Sequence, residues 1–184
     1  MIKIGITGSI ASGKSTVARI LSKNNRRLFS ADHVVKKLYS SPDFQKKLIK
    51  KFKLNKKKVK EEIKKRLLKK ELNLKDLGKF IQPFVRKKMK AFAKNKNKNE
   101  ILFYEVPLLI ESKLMNFFDL IIIVVSARAI RLKRYIRNGG NKRLFNILEK
   151  HQISQIKKVK YCDFIIVNNK TKEILKKRVD DIIL

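Results

Sequence analysis

Cysteine is nearly missing from this chain of 184 residues: Cys162 stands alone. No intramolecular disulfide can form, and a reducing, cytoplasmic setting is expected. Long apolar runs are missing too. The longest, around Leu120–Ala127, is the size of a strand and falls far short of the roughly 18–20 residues that span a bilayer. The opening MIKIGITG has no charged leader, extended apolar region or cleavage site, and predicts no signal peptide. Acidic residues are scarce: 15 Asp and Glu against 48 Lys and Arg leave a formal charge of +33. A field of that sign gathers polyanions, whether nucleic acid, anionic membrane or a polyphosphorylated metabolite. Much of the excess is Lys interleaved with Ile, Asn and Phe, the pattern an AT-rich genome imposes. Aromatic side chains are not arrayed as stacking platforms beside the basic runs. A solvated basic surface is therefore expected, with no obligate nucleic acid and no membrane. Internal repeats are absent, and so are the D-x-x-G and N-K-x-D elements of GTPases; Asn168-Asn169-Lys170 lacks the Asp.

What is present suffices for one globular domain with a real core, since 43% of the residues are hydrophobic. Ile2, Ile4 and Ile6 alternate with Lys3 and Gly5 as a short strand entering a glycine loop. Val17, Ile20 and Leu21 then recur at helical spacing. Further strands are expected at Arg27–Ser30, at Ile101–Val106 (stopped by Pro107), at Leu120–Val125 and at Phe164–Val167. The run Leu120–Val125 is continuous and largely β-branched, as in strands buried on both faces. Five strands separated by helical stretches predict an α/β fold with a five-stranded, mostly parallel sheet. Between the second and third strands, residues 42–99 form a lysine-rich region. Val59, Ile63 and Leu67 mark one helical stripe there; Phe80, Phe84, Val85, Met89 and Phe92 mark another. Two or three amphipathic helices are expected, followed by an exposed connection at KNKNKN, residues 94–99.

Gly8, Gly13, Lys14 and Ser15 match G-x-x-x-x-G-K-[ST], with the required strand before and helix after. Successive backbone N–H groups at that spacing make a concave nest for phosphate oxygens, and the helix behind them adds its positive end. Lys14 is expected to reach the β- and γ-phosphates, Ser15 to ligate Mg²⁺ through its hydroxyl, and Thr16 to lie near the α-phosphate. The motif establishes a nucleoside-triphosphate site and leaves the acceptor open.

Asp32 sits just past the second strand, where open α/β sheets bind ligands. A carboxylate there accepts the proton of an attacking hydroxyl, or orients it in line. It also suits an N-cap for the following helix. The residues alone leave both roles open.

Taken in order, GITGSIASGKSTVA, SADHVV, IQPFVRKKM, EVPLLIES and CDFIIVNN resemble the signature blocks of dephospho-CoA kinase, from residue 1 to about residue 180. The resemblance implies a P-loop kinase fold, with residues 42–99 as a helical insertion on the CoA side and 128–142 as a lid. It implies transfer of the γ-phosphoryl group of ATP, with Mg²⁺, to the ribose 3′-hydroxyl of dephospho-CoA. Asp32 is then the base or orienting group. Lys14 and Arg137 are catalytic cations, the latter a lid arginine able to clamp the migrating phosphoryl group. ATP falls to Gly8, Ala11, Ser12, Gly13, Lys14, Ser15, Thr16, Arg137 and Asn169, and the acceptor to Asp32, Arg86, Pro107, Leu108 and Leu109, the last three as a pocket wall. The second lid cation falls on Lys133 or Arg134. Glu105 is either a support for Mg²⁺ through water or a structural carboxylate, and Glu111 matches an acidic position with no assigned role. A monomer or weak oligomer is expected.

Three departures from the family pattern stand out. Ser9 and Ala11 replace loop glycines, Gln82 replaces a His before Pro83, and Ile130 lies where a glutamine is expected. None touches Lys14, Ser15 or Asp32, so an active enzyme is expected. A nucleoside or nucleoside-monophosphate kinase is the alternative on the same scaffold, and a nucleotide-regulated RNA-binding protein is a more distant one.

Overall fold

A computed structural model of the chain describes residues 1–22, 27–55, 58–94 and 100–183. The expected connection at 94–99 lies outside the described residues beyond Lys94.

Five strands form one sheet: β1 (Ile2–Gly8), β2 (Leu28–Ser30), β3 (Ile101–Glu105), β4 (Leu120–Val125) and β5 (Phe164–Val167). Their order is β2-β3-β1-β4-β5, and every pairing is parallel. The mostly parallel expectation becomes fully parallel because helical segments return the chain to the same end after each strand. In the ladder, β2 begins at Leu28 and β3 ends at Glu105, each one residue inside the expected bounds. β1 is central, with Ile6 opposite Glu105 on one side and Ile122 on the other. The chain leaves β1 for the β2 edge and later crosses from β3 past β1 to β4, so the strand order reverses at β1 and a crevice opens at its carboxyl end.

Helices α1 (Lys14–Leu21) and α9 (Lys172–Ile183) cover one face. There Ile6, Val17, Val124, Ile166, Leu175 and Val179 make a common core. The other face is covered by α2 (Ala31–Leu38), the latter half of α5 (Leu74–Lys94) and the segment that follows β3. Gly5 is required by that packing: a Cβ would lie 2.6 Å from Leu109 Cδ1 and 3.0 Å from the Phe118 ring.

Among its described residues the lysine-rich region forms three helices: α3 (Pro42–Phe52), α4 (Val59–Lys69) and the first half of α5. They enclose a core of their own, in which Phe44, Leu48, Val59, Ile63, Leu67 and Leu77 are buried. Each such side chain contributes about 1.5–3 kcal/mol relative to exposure, enough to hold helices whose outer faces are charged. The stripe on α5 divides between two cores. Phe80 and Phe84 pack against Phe44, whereas Val85, Met89 and Phe92 reach the sheet. One helix thus ties the inserted region to the sheet.

After β4, α6 (Arg128–Arg137) and α7 (Lys142–Lys150) form a helical hairpin. Gly140 permits its turn, since a Cβ there would lie 2.2 Å from Tyr135 Cε1. Glu149 binds both Arg128 and Arg131, and both guanidinium groups stand over Phe145. A short helix, α8 (Gln155–Val159), leads to β5. No helix among the described residues is long and apolar enough to cross a membrane.

Candidate active site

The loop between β1 and α1 owes its shape to two glycines. Gly8 has φ +146° and Gly13 φ +99°; a Cβ on Gly8 would lie 2.3 Å from the Val124 carbonyl oxygen, and one on Gly13 2.1 Å from Asn168 Nδ2. Ala11 adopts φ 57° without the freedom of glycine, so the loop carries a small local cost. Among the described residues no side chain caps α1; the Thr16 and Val17 N–H groups donate to the Gly13 carbonyl, and those of Lys14 and Ser15, on the cleft lining, precede the first helical bond. Lys14 is buried and donates to the Ser9 carbonyl at 2.9 Å. Ser12 is fully buried below the loop, and its hydroxyl has no partner among the described residues.

Across the floor, Glu105 joins three elements. One oxygen accepts from Ser15 Oγ at 2.5 Å and the other from Ser30 Oγ at 2.9 Å. Ser30 is also the cap of α2, accepting from the His33 N–H. The capping role open to Asp32 therefore belongs to Ser30, and Asp32 stands inside the first helical turn, facing the cleft. Asp32 keeps accessible surface there, yet the surrounding walls still penalise its charge. Burial raises its carboxyl above the usual range and Glu105 adds repulsion, while Lys14 opposes both. Lys14 is lowered to about 8 by burial, against the attraction of Asp32 and Glu105. Two carboxylates and a buried ammonium therefore hold one another in an electrostatically tense cluster.

A cleft of about 1950 Å³ runs from this cluster between α5, the segment after β3, and α6. Pro107 and Leu108 line it, but Leu109 does not. Leu109 is fully buried against Gly5 and the core of the second sheet face, because the chain turns inward after Leu108. The expected three-residue wall is two residues. Arg86 lines the cleft and donates to the Ser112 carbonyl at 2.7 Å, and Gln82 lines it one helical turn earlier. Glu111, left without a role by the sequence, accepts from Lys158 Nζ at 2.8 Å and from the Ile153 N–H at 3.0 Å.

On the opposite side, Lys133, Arg134 and Arg137 all line the cleft but differ in their ties. Arg134 is anchored, donating to the Ser12, Ser126 and Asn168 oxygens at 3.1–3.5 Å. Burial and the neighbouring Arg137 lower its pKa. Lys133 and Arg137 are exposed. Asn168 is buried and donates to the Ser12 carbonyl at 2.8 Å, while Asn169 accepts from the Ala127 N–H. Ala11, Gly13, Lys14, Ser15 and Thr16 line the cleft together with Asp32, Arg86, Arg137 and Asn169, whereas Gly8 and the fully buried Ser12 shape the loop from behind and do not line it.

Several participants carry no signal in their local sequence. Ser30 at a strand end, Arg131 and Lys158 on helices and Gln152 in the connection between α7 and α8 are distant in the chain, so only the assembled fold brings them to the site. A hydrogen-bonding side chain beside a cleft loop is the signal to seek, and it is spatial.

A family model described as dephospho-CoA kinase matches residues 2–173. A dephospho-CoA kinase of Fusobacterium nucleatum is 32% identical over 187 residues, covering 96% of this chain and 94% of that relative. Among solved structures, a Thermus thermophilus protein superposes with TM-score 0.78 at 23% identity, covering 99% of this chain and 96% of its own. Dephospho-CoA kinase from Campylobacter jejuni does so with TM-score 0.58 at 24% identity, covering 98% and 95%. These two structures speak for the fold.

Proposed function

This chain belongs to the dephospho-CoA kinase family and phosphorylates dephospho-CoA with ATP as donor, and from that premise we propose how its cleft performs the transfer. The acceptor atom is the ribose 3′-hydroxyl, so the products are coenzyme A and ADP. The observation that carries this is the placement of Asp32 in one cleft with Ala11, Gly13, Lys14 and Ser15 of the phosphate loop and with the apolar Pro107 and Leu108.

The loop N–H groups and the uncapped start of α1 bind the phosphates, and Lys14 reaches the β- and γ-phosphates. Asp32, with its raised carboxyl, accepts the proton of the 3′-hydroxyl or aligns its oxygen with the γ-phosphorus. Arg137, exposed at the cleft rim, neutralises charge on the equatorial oxygens of the group in transit. Arg134 is the anchored lid cation that holds the loop and Asn168 together, while Lys133 is exposed on the cleft lining. Asn169 borders the nucleotide base. Residues 128–142 serve as the lid and residues 42–99 as the CoA-side helical region, with Arg86 oriented by Ser112 to meet an anionic part of the acceptor.

Magnesium fits this donor set. Ser15 Oγ and the Glu105 carboxylate are hard oxygens already in contact, and Asp32 acts on both Glu105 and Lys14 electrostatically. One or two carboxylates beside substrate phosphates are what this ion takes. When bound with ATP, it polarises the phosphoryl group and offsets its charge. Ser15 and Glu105 would hold it, directly or through water. The protein is expected to act in the cytoplasm as a monomer or weak oligomer.

The test is ADP release with Mg·ATP in the presence of dephospho-CoA, adenosine, AMP or no acceptor, beside Asp32→Asn. Turnover confined to dephospho-CoA, lost by about 100-fold or more in the variant, is expected. Turnover on adenosine or AMP instead transfers the assignment to a nucleoside or nucleotide kinase.

A further inference from the structure

The segment Glu149–Gln155 touches α6, the phosphate loop, the segment after β3 and the end of β4, although it contains none of the residues assigned above to ATP or acceptor. Glu149 binds Arg128 and Arg131 of α6. Gln152 Oε1 accepts from the Ile10 N–H of the phosphate loop at 2.9 Å. The next residue, Ile153, donates its N–H to Glu111 at 3.0 Å, on the segment that also holds Pro107 and Leu108. Gln155 grips the end of β4 from both sides, accepting from the Ser126 N–H at 2.9 Å and donating to the Ser126 carbonyl at 3.1 Å.

We propose that Gln152 is a positioning residue for ATP, setting the orientation of the phosphate loop through the Ile10 N–H. This rests on the functional reading above. The reason lies in the loop itself. Between Gly8 and Gly13 it has few internal ties, the described one being Ser12 N–H to the Ser9 carbonyl at 3.2 Å. Ile10 precedes Ala11, which holds φ 57° without being glycine. A non-glycine residue in that region is strained and persists only when neighbours over-determine it. Gln152 supplies such a constraint on the N–H side of Ile10. On the carbonyl side Arg131 Nη1 approaches the Ile10 oxygen at 3.4 Å, itself fixed by Glu149. The segment thus acts on Ile10 twice, directly through Gln152 and indirectly through the Glu149 that holds Arg131 of α6. An amide oxygen accepts this hydrogen bond without adding negative charge beside bound phosphate, which a carboxylate does not achieve.

The consequence is a split between the two substrates. Gln152→Met keeps length and volume but cannot accept the Ile10 hydrogen bond. It is expected to raise the ATP dissociation constant and the KM for ATP about tenfold, the size of one neutral hydrogen bond. The KM for dephospho-CoA and kcat should stay within about twofold, because the lost interaction belongs to ground-state and transition-state ATP alike. Gln152→Glu restores the acceptor but adds charge, so its ATP affinity should stay low and recover as pH falls and the carboxyl is neutralised. Gln152→Met has no such pH response.

ATP binding by calorimetry, thermal midpoints and two-substrate kinetics on the three proteins decide the matter. Unchanged ATP affinity in Gln152→Met overturns the proposal. Equal weakening of both substrates together with a lowered thermal midpoint also overturns it, because that is what a purely structural role produces. The binding arm needs no acceptor. Wild-type protein that binds ATP without phosphorylating dephospho-CoA therefore removes the functional reading, while the ATP comparison still decides the role of Gln152.

Discussion

Ser15 and Glu105 meet hydroxyl to carboxylate at 2.5 Å across 90 residues of chain. Because the second Glu105 oxygen holds Ser30, which caps α2, a single side chain fixes the phosphate loop, β3 and the helix bearing Asp32 relative to one another. Glu105 is thus both a mechanical joint and a charge. Its charge has a measurable effect on Asp32.

Asp32 is raised first by burial and second by repulsion from Glu105. As pH falls through that raised value Asp32 takes up a proton and ceases to accept from the acceptor hydroxyl, so kcat/KM for dephospho-CoA falls on the acid side. Glu105→Gln removes the second cause and leaves the first. The acid limb is expected to move to lower pH without reaching that of an unburied Asp, at an overall rate reduced by the weaker floor of the site. A pH–rate profile for wild type and variant over about pH 4.5–8 checks this. An acid limb that does not move would show that Asp32 is not the titrating group, or does not feel Glu105.

Lys14 gives a prediction on the alkaline side. Its pKa is lowered to about 8 chiefly by burial, and nucleotide phosphates favour the protonated form. ATP affinity is therefore expected to be flat below that value and to fall by about tenfold per pH unit above it, as the free protein loses the proton that ATP requires. Calorimetry in buffers of different ionisation enthalpy should register proton uptake on binding near pH 8. Lys14→Met should bind ATP weakly with no such fall. A wild-type affinity that stays constant through pH 9.5, about 1.5 units above the shifted value, contradicts the assignment.

The same cluster shows how far the sequence reaches. The phosphate loop was legible because backbone geometry dictates its glycines and its strand–loop–helix context, and all of that is local. The strand runs were legible because burial on both faces leaves a continuous apolar signature, plainest at Leu120–Val125. Leu109 was misplaced because an apolar residue after a strand suits a pocket wall and a core equally, and only the packing against Gly5 separates them. The capping role open to Asp32 fell to Ser30 because both residue types cap helices, and the helix starts at Ala31, two residues earlier than an Asp32 cap would need. Arg134 proved anchored through Asn168, a pairing across 34 residues that no local pattern encodes. Partners such as Gln152 and Lys158 depend on tertiary approach, and nothing in their neighbours announces it.

Lys158 is fully buried, and its ammonium both pairs with Glu111 at 2.8 Å and donates to the Pro107 carbonyl at 3.2 Å. Methionine at this position keeps much of the volume and removes the charge. Glu111 then retains the Ile153 N–H, but its other oxygen, already without a partner among the described residues, stays buried beside an unneutralised charge. Breaking one side of a buried pair costs about 3–5 kcal/mol, so Lys158→Met should lower the urea midpoint with an unchanged slope. Adding Glu111→Gln to it removes the orphaned charge while keeping an acceptor for Ile153, and should recover a substantial part of the loss. The cleft wall itself should survive in the double variant, because the Pro107 carbonyl also accepts from Thr7 Oγ1 at 3.2 Å. A single variant as stable as wild type would mean that the buried pair contributes no net stability; a double variant no better than the single one would place the loss in the Lys158–Pro107 contact instead.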